Sequence, residues 1–172
     1  MKQSLDRILT THTGSLPRPS DLVAALNAKE LGEAYNAAAL DARVRRAVAE
    51  IVKRQANTGL DVINDGEHGK VSWMAYARGR LSGLEEIDSP VRFRGATRDS
   101  EAFAAAYEDM RLMLAGRSGA LVAKRTVRPK AFICSGPIAY VGQDELQADI
   151  DNLKAALQRA KEQEAFLTAI SP

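Results

Sequence analysis

The chain has 172 residues, 45% of them apolar, which is the length of one ordinary domain with enough apolar surface to bury a core. Its basic residues outnumber its acidic residues by only two and are scattered, which excludes the strongly basic surface typical of nucleic-acid-binding proteins. A single cysteine excludes an internal disulfide and fits a reducing compartment. The start "MKQSLDR" has no signal peptide and no apolar run reaches about 20 residues, so we expect a cytoplasmic protein with no membrane or nucleic-acid partner.

The first predicted element is a strand in "RILTT" that stops abruptly at His12. Gly14 and two prolines follow in "HTGSLPRP", and small polar side chains gather at the break. Because loops at strand ends carry chemistry while the strands hold them in place, we expect a ligand site that includes residues 12–15.

Two helices are predicted next. The first runs from Ser20, as its N-cap, to about Lys29, and the second begins near Ala34 and ends at Gly59. A short apolar strand follows in "LDVINDGEHGK", and the chargeable residues of Asp65–His68 come just after it. This repeats the pattern of the first strand.

The remaining chain is predicted to continue the alternation. A helix runs from Val71 to Leu84, and a third strand lies in "KAFICSGPIAY". A further helix begins near Asp144, and a fourth strand lies in "EAFLTAISP". Between them a helix over 100–114 is expected to bury one apolar stripe, formed by Phe103, Tyr107, Met110 and Leu114.

This order predicts an α/β fold of parallel (β/α) units with right-handed crossovers, about four units in a single domain over residues 1–172. Ligands of such folds bind at the carboxyl ends of the strands, in open sheets and in barrels alike. Residues 12–15, 65–68 and 135–137 are therefore expected to lie at one rim.

A metal site is the first hypothesis for this rim. His12, Glu67, His68 and Cys134 are residue types that zinc accepts, but their spacing matches no zinc motif. Cys134 is also interpreted as a small buried residue of an apolar strand. The spacing alone therefore does not establish a metal site.

A pocket for a polar organic molecule is the second hypothesis. Glu67 beyond a strand end can bind an ammonium group, and the N–H groups of Gly14 and Ser15 can bind a carboxylate, a combination that suits an amino acid. The alternative is that the acidic residues only cap the next helix. A third hypothesis pairs Ser15 or Ser135 with a histidine, but neither serine lies in a Gly-x-Ser-x-Gly motif.

Four segments occur together and in a recognisable order: "TTHTGSLPRP", "LDVINDGEHGK", "SGPIAY" and "EAFLTAISP". They resemble the catalytic barrel of the cobalamin-independent methionine synthase family and its shorter relatives, such as epoxyalkane:coenzyme M transferases. The resemblance implies the amino-terminal half of a TIM (β/α)8 barrel of the methionine synthase/uroporphyrinogen decarboxylase type. It also implies methyl or alkyl transfer to a small-molecule thiol such as homocysteine, with a methyl-folate such as 5-methyltetrahydropteroyltriglutamate as donor.

The resemblance also implies roles for individual residues. Thr13–Ser15 match the loop that holds the amino-acid thiol, and Glu67 matches a carboxylate that contacts its amino group. His12 matches a histidine of the shorter relatives, and both His12 and His68 are candidates for substrate or metal contacts. No catalytic residue and no metal ligand is assigned.

Zinc is the cofactor that the resemblance implies, because the family uses it to hold the thiol as a thiolate. The family's ligands, a His-x-Cys pair with further acidic and cysteine ligands, come from later strands, and no such pair occurs here. We therefore expect this chain alone to be inactive and to pair with a missing carboxy-terminal half or with a second copy.

Two alternatives to the transferase remain. One is a non-catalytic fragment or amino-acid-binding remnant of the family, and the other is a small stand-alone α/β enzyme that uses His12 and His68 with a metal. Within the leading interpretation, the aromatic segment that follows the second strand either packs in the core or forms a wall for a flat pterin. That segment contains Trp73, Met74 and Tyr76.

Overall fold

The computed structural model describes residues 3–87, 98–117, 131–158, 160 and 164–169. Its contacts divide the chain into two compact units. The first comprises Met1–Ser82 with Ala139–Pro172, and the second comprises Gly83–Ile138. The residues expected at the rim are thus distributed over both units.

Helix α1 (Ser20–Glu30) confirms the first predicted helix. Its N-cap position is Pro19, and no side chain makes a capping hydrogen bond there, so the prediction that Ser20 caps the helix is wrong. Leu22 and Leu26, one turn apart, are buried on the face that packs against the next helix.

Helix α2 (Ala37–Thr58) begins three residues later than predicted, because Asn36 is its N-cap. The Asn36 side chain accepts a hydrogen bond from the Ala39 N–H at 3.0 Å. Gly59 ends the helix as predicted, in the left-handed conformation with φ 87°. The helix buries an apolar face of Leu40, Ala47, Val48, Ile51 and Val52.

Strand β1 (Val62–Ile63) lies at the centre of a small parallel arrangement in the first unit. Val62 pairs in parallel with Glu164 of the last strand, β4 (Glu164–Ala165), and also forms a parallel bridge with Thr11. The predicted strand before His12 is present only as this bridge. The carboxyl ends of three parallel segments therefore lie next to one another.

Helix α3 (Trp73–Arg78) is shorter than the predicted helix, which was expected to reach Leu84. Ser72 caps it, since its Oγ accepts a hydrogen bond from the Ala75 N–H at 3.2 Å, and Gly79 ends it. The core of the first unit forms where α2 packs on β1 and on a later helix, α6 (Gln143–Leu157). That core contains Val48, Val52, Ile63, Leu153 and Ala156.

In the second unit, strand β2 (Leu84–Ile87) pairs with strand β3 (Ala131–Cys134) in an antiparallel arrangement. The third predicted strand is therefore confirmed as a strand, but the prediction that it joins the parallel sheet is wrong. Gly83, with φ 77°, precedes β2, and a Cβ placed there would lie 2.5 Å from the Pro137 carbonyl oxygen. Glycine permits this close approach of two backbones.

Two helices, α4 (Arg98–Ala102) and α5 (Ala104–Arg117), occupy the region of the predicted helix over 100–114. The prediction that this region buries an apolar stripe is wrong where the stripe is described, since three of its members are exposed by 63%, 42% and 46%. These are Phe103, Tyr107 and Met110, and the side chain of Leu114 lies outside the described residues.

The described parts of the chain form a mixed α/β structure with helices and a few strands. Closure of the strands into a barrel stays a prediction. In these parts no helix combines the length and the apolar character that crossing a bilayer requires.

Candidate functional site

The loop that follows β1 consists largely of polar residues, and yet it is buried. Asp65, Glu67, His68 and Lys70 are each between 2% and 4% exposed. Buried charges are costly unless they are paired or hydrogen-bonded, so each of these side chains requires a specific partner. The partners define a candidate site.

The backbone of this loop is held by its own side chains. The Asn64 amide oxygen accepts a hydrogen bond from the Gly66 N–H at 2.8 Å, and the Asp65 carboxylate accepts one from the Glu67 N–H at 3.0 Å. Gly66 and Glu67 both have left-handed conformations, with φ 61° and φ 56°. A Cβ at Gly66 would lie 2.7 Å from His68 Nδ1, so this position requires glycine.

The Glu67 carboxylate is bound by hydroxyl groups from two other parts of the chain. Ser15 Oγ donates to its Oε2 at 2.5 Å, and Thr168 Oγ1 donates to its Oε1 at 3.2 Å. Ser15 follows the Thr11 bridge and Thr168 follows β4. Three neighbouring strand ends therefore meet at one buried carboxylate.

Lys70 stabilises this arrangement through contacts with Thr168 and Asp65. Its Nζ donates to the Thr168 carbonyl oxygen at 3.1 Å and to Thr168 Oγ1 at 3.3 Å, and it lies 3.7 Å from Asp65 Oδ2. Because Thr168 Oγ1 accepts from Lys70, its single hydrogen is directed toward Glu67. The lysine thereby orients the hydroxyl that contacts the carboxylate.

Two aromatic rings of α3 cover the Lys70 ammonium. Its Nζ lies 4.8 Å from the centroid of Trp73 and 5.0 Å from that of Tyr76, which are cation–π distances. Both aromatic residues are half-buried, and the side chain of Met74 lies outside the described residues. These contacts explain how a lysine can be buried here.

Arg18 contacts the same loop and also lies near Ser15. Its Nε and Nη2 donate to the Glu67 carbonyl oxygen at 3.1 and 3.0 Å, and Nη2 lies 3.4 Å from Ser15 Oγ. Burial lowers the pKa of Arg18, and the charges of Glu67 and Asp65 oppose this effect. The side chain nonetheless forms no ion pair with any carboxylate that the structure describes.

The remaining predicted site residues of the first loop are accessible. Thr13 is exposed, and a Cβ at Gly14, which has φ 98°, would meet no atom within 4 Å. Over the described ranges, the N–H groups of Gly14 and Ser15 have no acceptor. Ser15 Oγ contacts Glu67 and not a histidine, and the place of 135–137 at this rim stays a prediction because it belongs to the second unit.

The two histidines have different surroundings. Burial lowers the pKa of His68, whose Nδ1 lies 3.2 Å from the Asp65 carbonyl oxygen. His12 Nε2 is buried without a hydrogen-bond partner among the described residues, while its carbonyl oxygen accepts from Asn64 Nδ2 at 2.5 Å. Within the described residues, neither His12 nor His68 belongs to a group of three side chains that could hold a metal ion.

The residues that were considered for zinc are His12, Glu67, His68 and Cys134. Within the described ranges, no three His, Cys, Asp or Glu side chains are grouped so that they could hold a metal ion. Cys134 belongs to the second unit and is exposed, which corrects its interpretation as a buried strand residue.

Three residues of this site were not predicted: Arg18, Lys70 and Thr168. Thr168 lies within the segment "EAFLTAISP" that was predicted as a strand, whereas the strand ends at Ala165 and Thr168 follows it. Lys70 and Arg18 carry no signal of a site, because long basic side chains are usually exposed.

The described residues form a mixed α/β structure in which polar residues lie at the carboxyl ends of parallel strand segments, a common location for binding sites. Residues 8–161 match the family described as "Cobalamin-independent synthase, Catalytic domain". The match covers most of the chain, so this protein belongs to the cobalamin-independent methionine synthase family, whose fold is of the TIM-barrel type. This confirms the resemblance to the family; three of the four motifs lie within the matched residues, and "EAFLTAISP" follows them. Comparison with curated proteins found no match.

Proposed function

We propose that this chain is the thiol-binding part of a methionine-synthase-like methyltransferase and contributes to a TIM barrel. It binds an amino-acid thiol such as homocysteine, which accepts a methyl or alkyl group. The observation that carries the proposal is the Glu67 carboxylate, which is 2% exposed and held by two hydroxyl groups. Among the ion pairs of the described residues, none includes Glu67.

Among the described residues, the Glu67 carboxylate accepts hydrogen bonds from neutral hydroxyl groups, and the nearby Arg18 guanidinium forms no direct ion pair with it. The ammonium group of an amino acid adds direct charge-assisted N–H···O hydrogen bonds to this carboxylate. Ser15 and Thr168 hold both carboxylate oxygens in place before the ligand arrives. The free N–H groups of Gly14 and Ser15 provide donors for an acid group on the same ligand.

The proposal assigns binding and orientation of the thiol to this chain, and nothing more. Zinc is the metal that the family implies, but the described residues do not fit it, as no suitable group of ligands is present among them. In this proposal the metal ligands and the binding site for a methyl-folate donor lie outside this sequence. A second copy or a separate carboxy-terminal half is the proposed partner.

Calorimetric titration with two ligands tests the proposal. Homocysteine carries an ammonium group, and 4-mercaptobutyrate is the same chain without it. We expect 4-mercaptobutyrate to bind at least about tenfold more weakly, the factor for a hydrogen bond to a charged group. Glu67→Gln should abolish this discrimination, whereas the exposed control Glu33→Gln should retain it. Equal binding of both ligands by the unmodified protein would contradict the proposal.

A second candidate is an amino-acid-binding member of the family that transfers no group. The lack of a metal-binding group among the described residues favours it. Incubation with homocysteine, a methyl-folate and zinc distinguishes the two. Methionine formed by the purified chain would exclude this candidate, and binding without turnover, also in the presence of candidate partner chains, would support it.

A further inference from the structure

Arg18 carries a positive charge beside Glu67, and its hydrogen bonds go only to uncharged groups. Its Nε and Nη2 donate to the Glu67 carbonyl oxygen, and Nη2 also lies 3.4 Å from Ser15 Oγ. In the part of the chain that the structure describes, its Nη1 has no acceptor and its guanidinium no carboxylate partner. A half-buried guanidinium of this kind has an unused capacity to bind an anion.

The Ser15 hydroxyl contacts both this positively charged group and the Glu67 carboxylate. Ser15 Oγ is 2.5 Å from Glu67 Oε2 and 3.4 Å from Arg18 Nη2. An α-amino acid carries its ammonium and carboxylate groups on the same carbon atom. Two opposite charges that contact the same hydroxyl group therefore match the charge pattern of a zwitterion.

We propose that Arg18 binds the acid group of the thiol substrate while Glu67 binds its ammonium group. The inference rests on the proposed function and adds a determinant of specificity, since the ligand must carry an acid group in addition to a thiol. Arginine suits this role because its planar guanidinium offers several N–H donors that match the geometry of a carboxylate. The donors of Gly14 and Ser15 lie in the same loop and add to this anion site.

Arg18 also has a structural role that the experiment must separate from ligand binding. Its two bonds to the Glu67 carbonyl oxygen hold a residue whose φ of 56° is unusual for a side chain other than glycine. Loss of these bonds would disturb the pocket for every ligand. A change in affinity for one ligand is therefore insufficient, and a ratio of two affinities is needed.

Calorimetric titration with homocysteine and with 3-mercaptopropylamine, which lacks only the carboxylate, supplies this ratio. For the unmodified protein we expect 3-mercaptopropylamine to bind at least about tenfold more weakly. Arg18→Met should bring the two affinities to within about twofold of each other, because no guanidinium then distinguishes the ligands. The matched control Arg46→Met, at an exposed position of α2, should retain the full ratio.

An unchanged ratio in Arg18→Met, with both affinities reduced alike, would overturn the inference and leave Arg18 a purely structural role. Should Arg18→Met not fold, as judged by circular dichroism, the ratio is measured on Arg18→Lys. That variant keeps the positive charge but lacks the planar guanidinium group, so its ratio of affinities should fall below that of the unmodified protein. An unchanged ratio would again overturn the inference. Failure of homocysteine to bind the unmodified protein would overturn the proposed function and this inference together. If the unmodified protein still discriminates against 4-mercaptobutyrate, an unchanged ratio in the Arg18 variants would overturn this inference alone.

Discussion

Replacement of Lys70 by methionine is expected to destabilise the first unit strongly. The Lys70 side chain is 3% exposed and lies 3.7 Å from a carboxylate oxygen of Asp65, whose side chain is 5% exposed. Methionine fills a similar volume but leaves this carboxylate without its ammonium partner. Removal of one partner from a buried ion pair costs about 3–5 kcal/mol. We expect a loss near about 3 kcal/mol, because the pair is 3.7 Å apart and Asp65 keeps its hydrogen bond from the Glu67 N–H.

Urea unfolding followed by tryptophan fluorescence measures this loss. Trp73 is the only tryptophan of the chain and lies 4.8 Å from the Lys70 ammonium, so its emission reports on this region. With a denaturant dependence of about 2 kcal/mol per molar urea, the midpoint should fall by about 1.5 M. The double variant Lys70→Met/Asp65→Asn should regain at least half of the loss, since it removes the uncompensated charge.

Lys53→Met, at an exposed position of α2, is the matched control and should change the free energy of unfolding by less than about 0.5 kcal/mol. A midpoint for Lys70→Met within about 0.3 M of the unmodified protein would refute the reasoning. It would mean that the buried lysine contributes no compensating charge to Asp65.

Two further predictions concern His68 and Gly66 of the same loop, with Gly59 at the end of α2 as a comparison. Because burial lowers the pKa of His68 below its ordinary 6.5, the unfolded chain binds a proton that the folded chain resists. The free energy of unfolding should therefore decrease as the pH falls below 6.5. Urea titrations at several pH values measure this dependence, and His68→Gln should make it weaker. An unchanged dependence of the free energy on pH would exclude His68 as its source. Gly59→Ala should lower the free energy of unfolding by about 1 kcal/mol, because the added Cβ has no neighbour within 4 Å and only the positive φ is unfavourable. Gly66→Ala should lower it by at least about 2 kcal/mol, because its Cβ would also lie 2.7 Å from His68 Nδ1. Equal losses in thermal or urea unfolding would show that the loop accommodates the added methyl group.

The sequence was sufficient to predict those elements whose signals are local. Helix α2 and its end at Gly59 follow from apolar spacing and a glycine stop. The contact between Ser15 and Glu67 follows from a general rule, that loops after parallel strands meet at one edge. Whether these residues bind an amino acid stays a prediction.

Pairing between distant segments was harder to predict. Leu84 was assigned to the end of a helix and residues 85–87 to no element, but residues 84–87 pair with β3 in an antiparallel arrangement. The local signals for the end of the helix were Gly79 and Gly83. Gly83 is needed for the close contact with the Pro137 carbonyl oxygen. Nothing in a single sequence specifies which strand a four-residue strand will join.

The burial of Lys70 was also beyond local patterns. Lysine is among the residues that are almost never fully buried unless they are paired. Its partners come from both neighbouring and distant positions, with Thr168 the most distant of them at 98 residues. Such a network becomes visible only when the fold brings its members together.

The three-way arrangement at Glu67 has a consequence for how this protein acquires its site during synthesis. Ser15 precedes Glu67 by 52 residues and Thr168 follows it by 101 residues. Helices such as α1 and α2 depend on short-range contacts and form early, whereas contacts over such separations form slowly because long loops must close first. A growing chain therefore holds the Glu67 carboxylate by one hydroxyl at first and obtains the second hydroxyl only after residue 168 has been synthesised. Ligand affinity in a truncation series should therefore increase at the point where Thr168 is included.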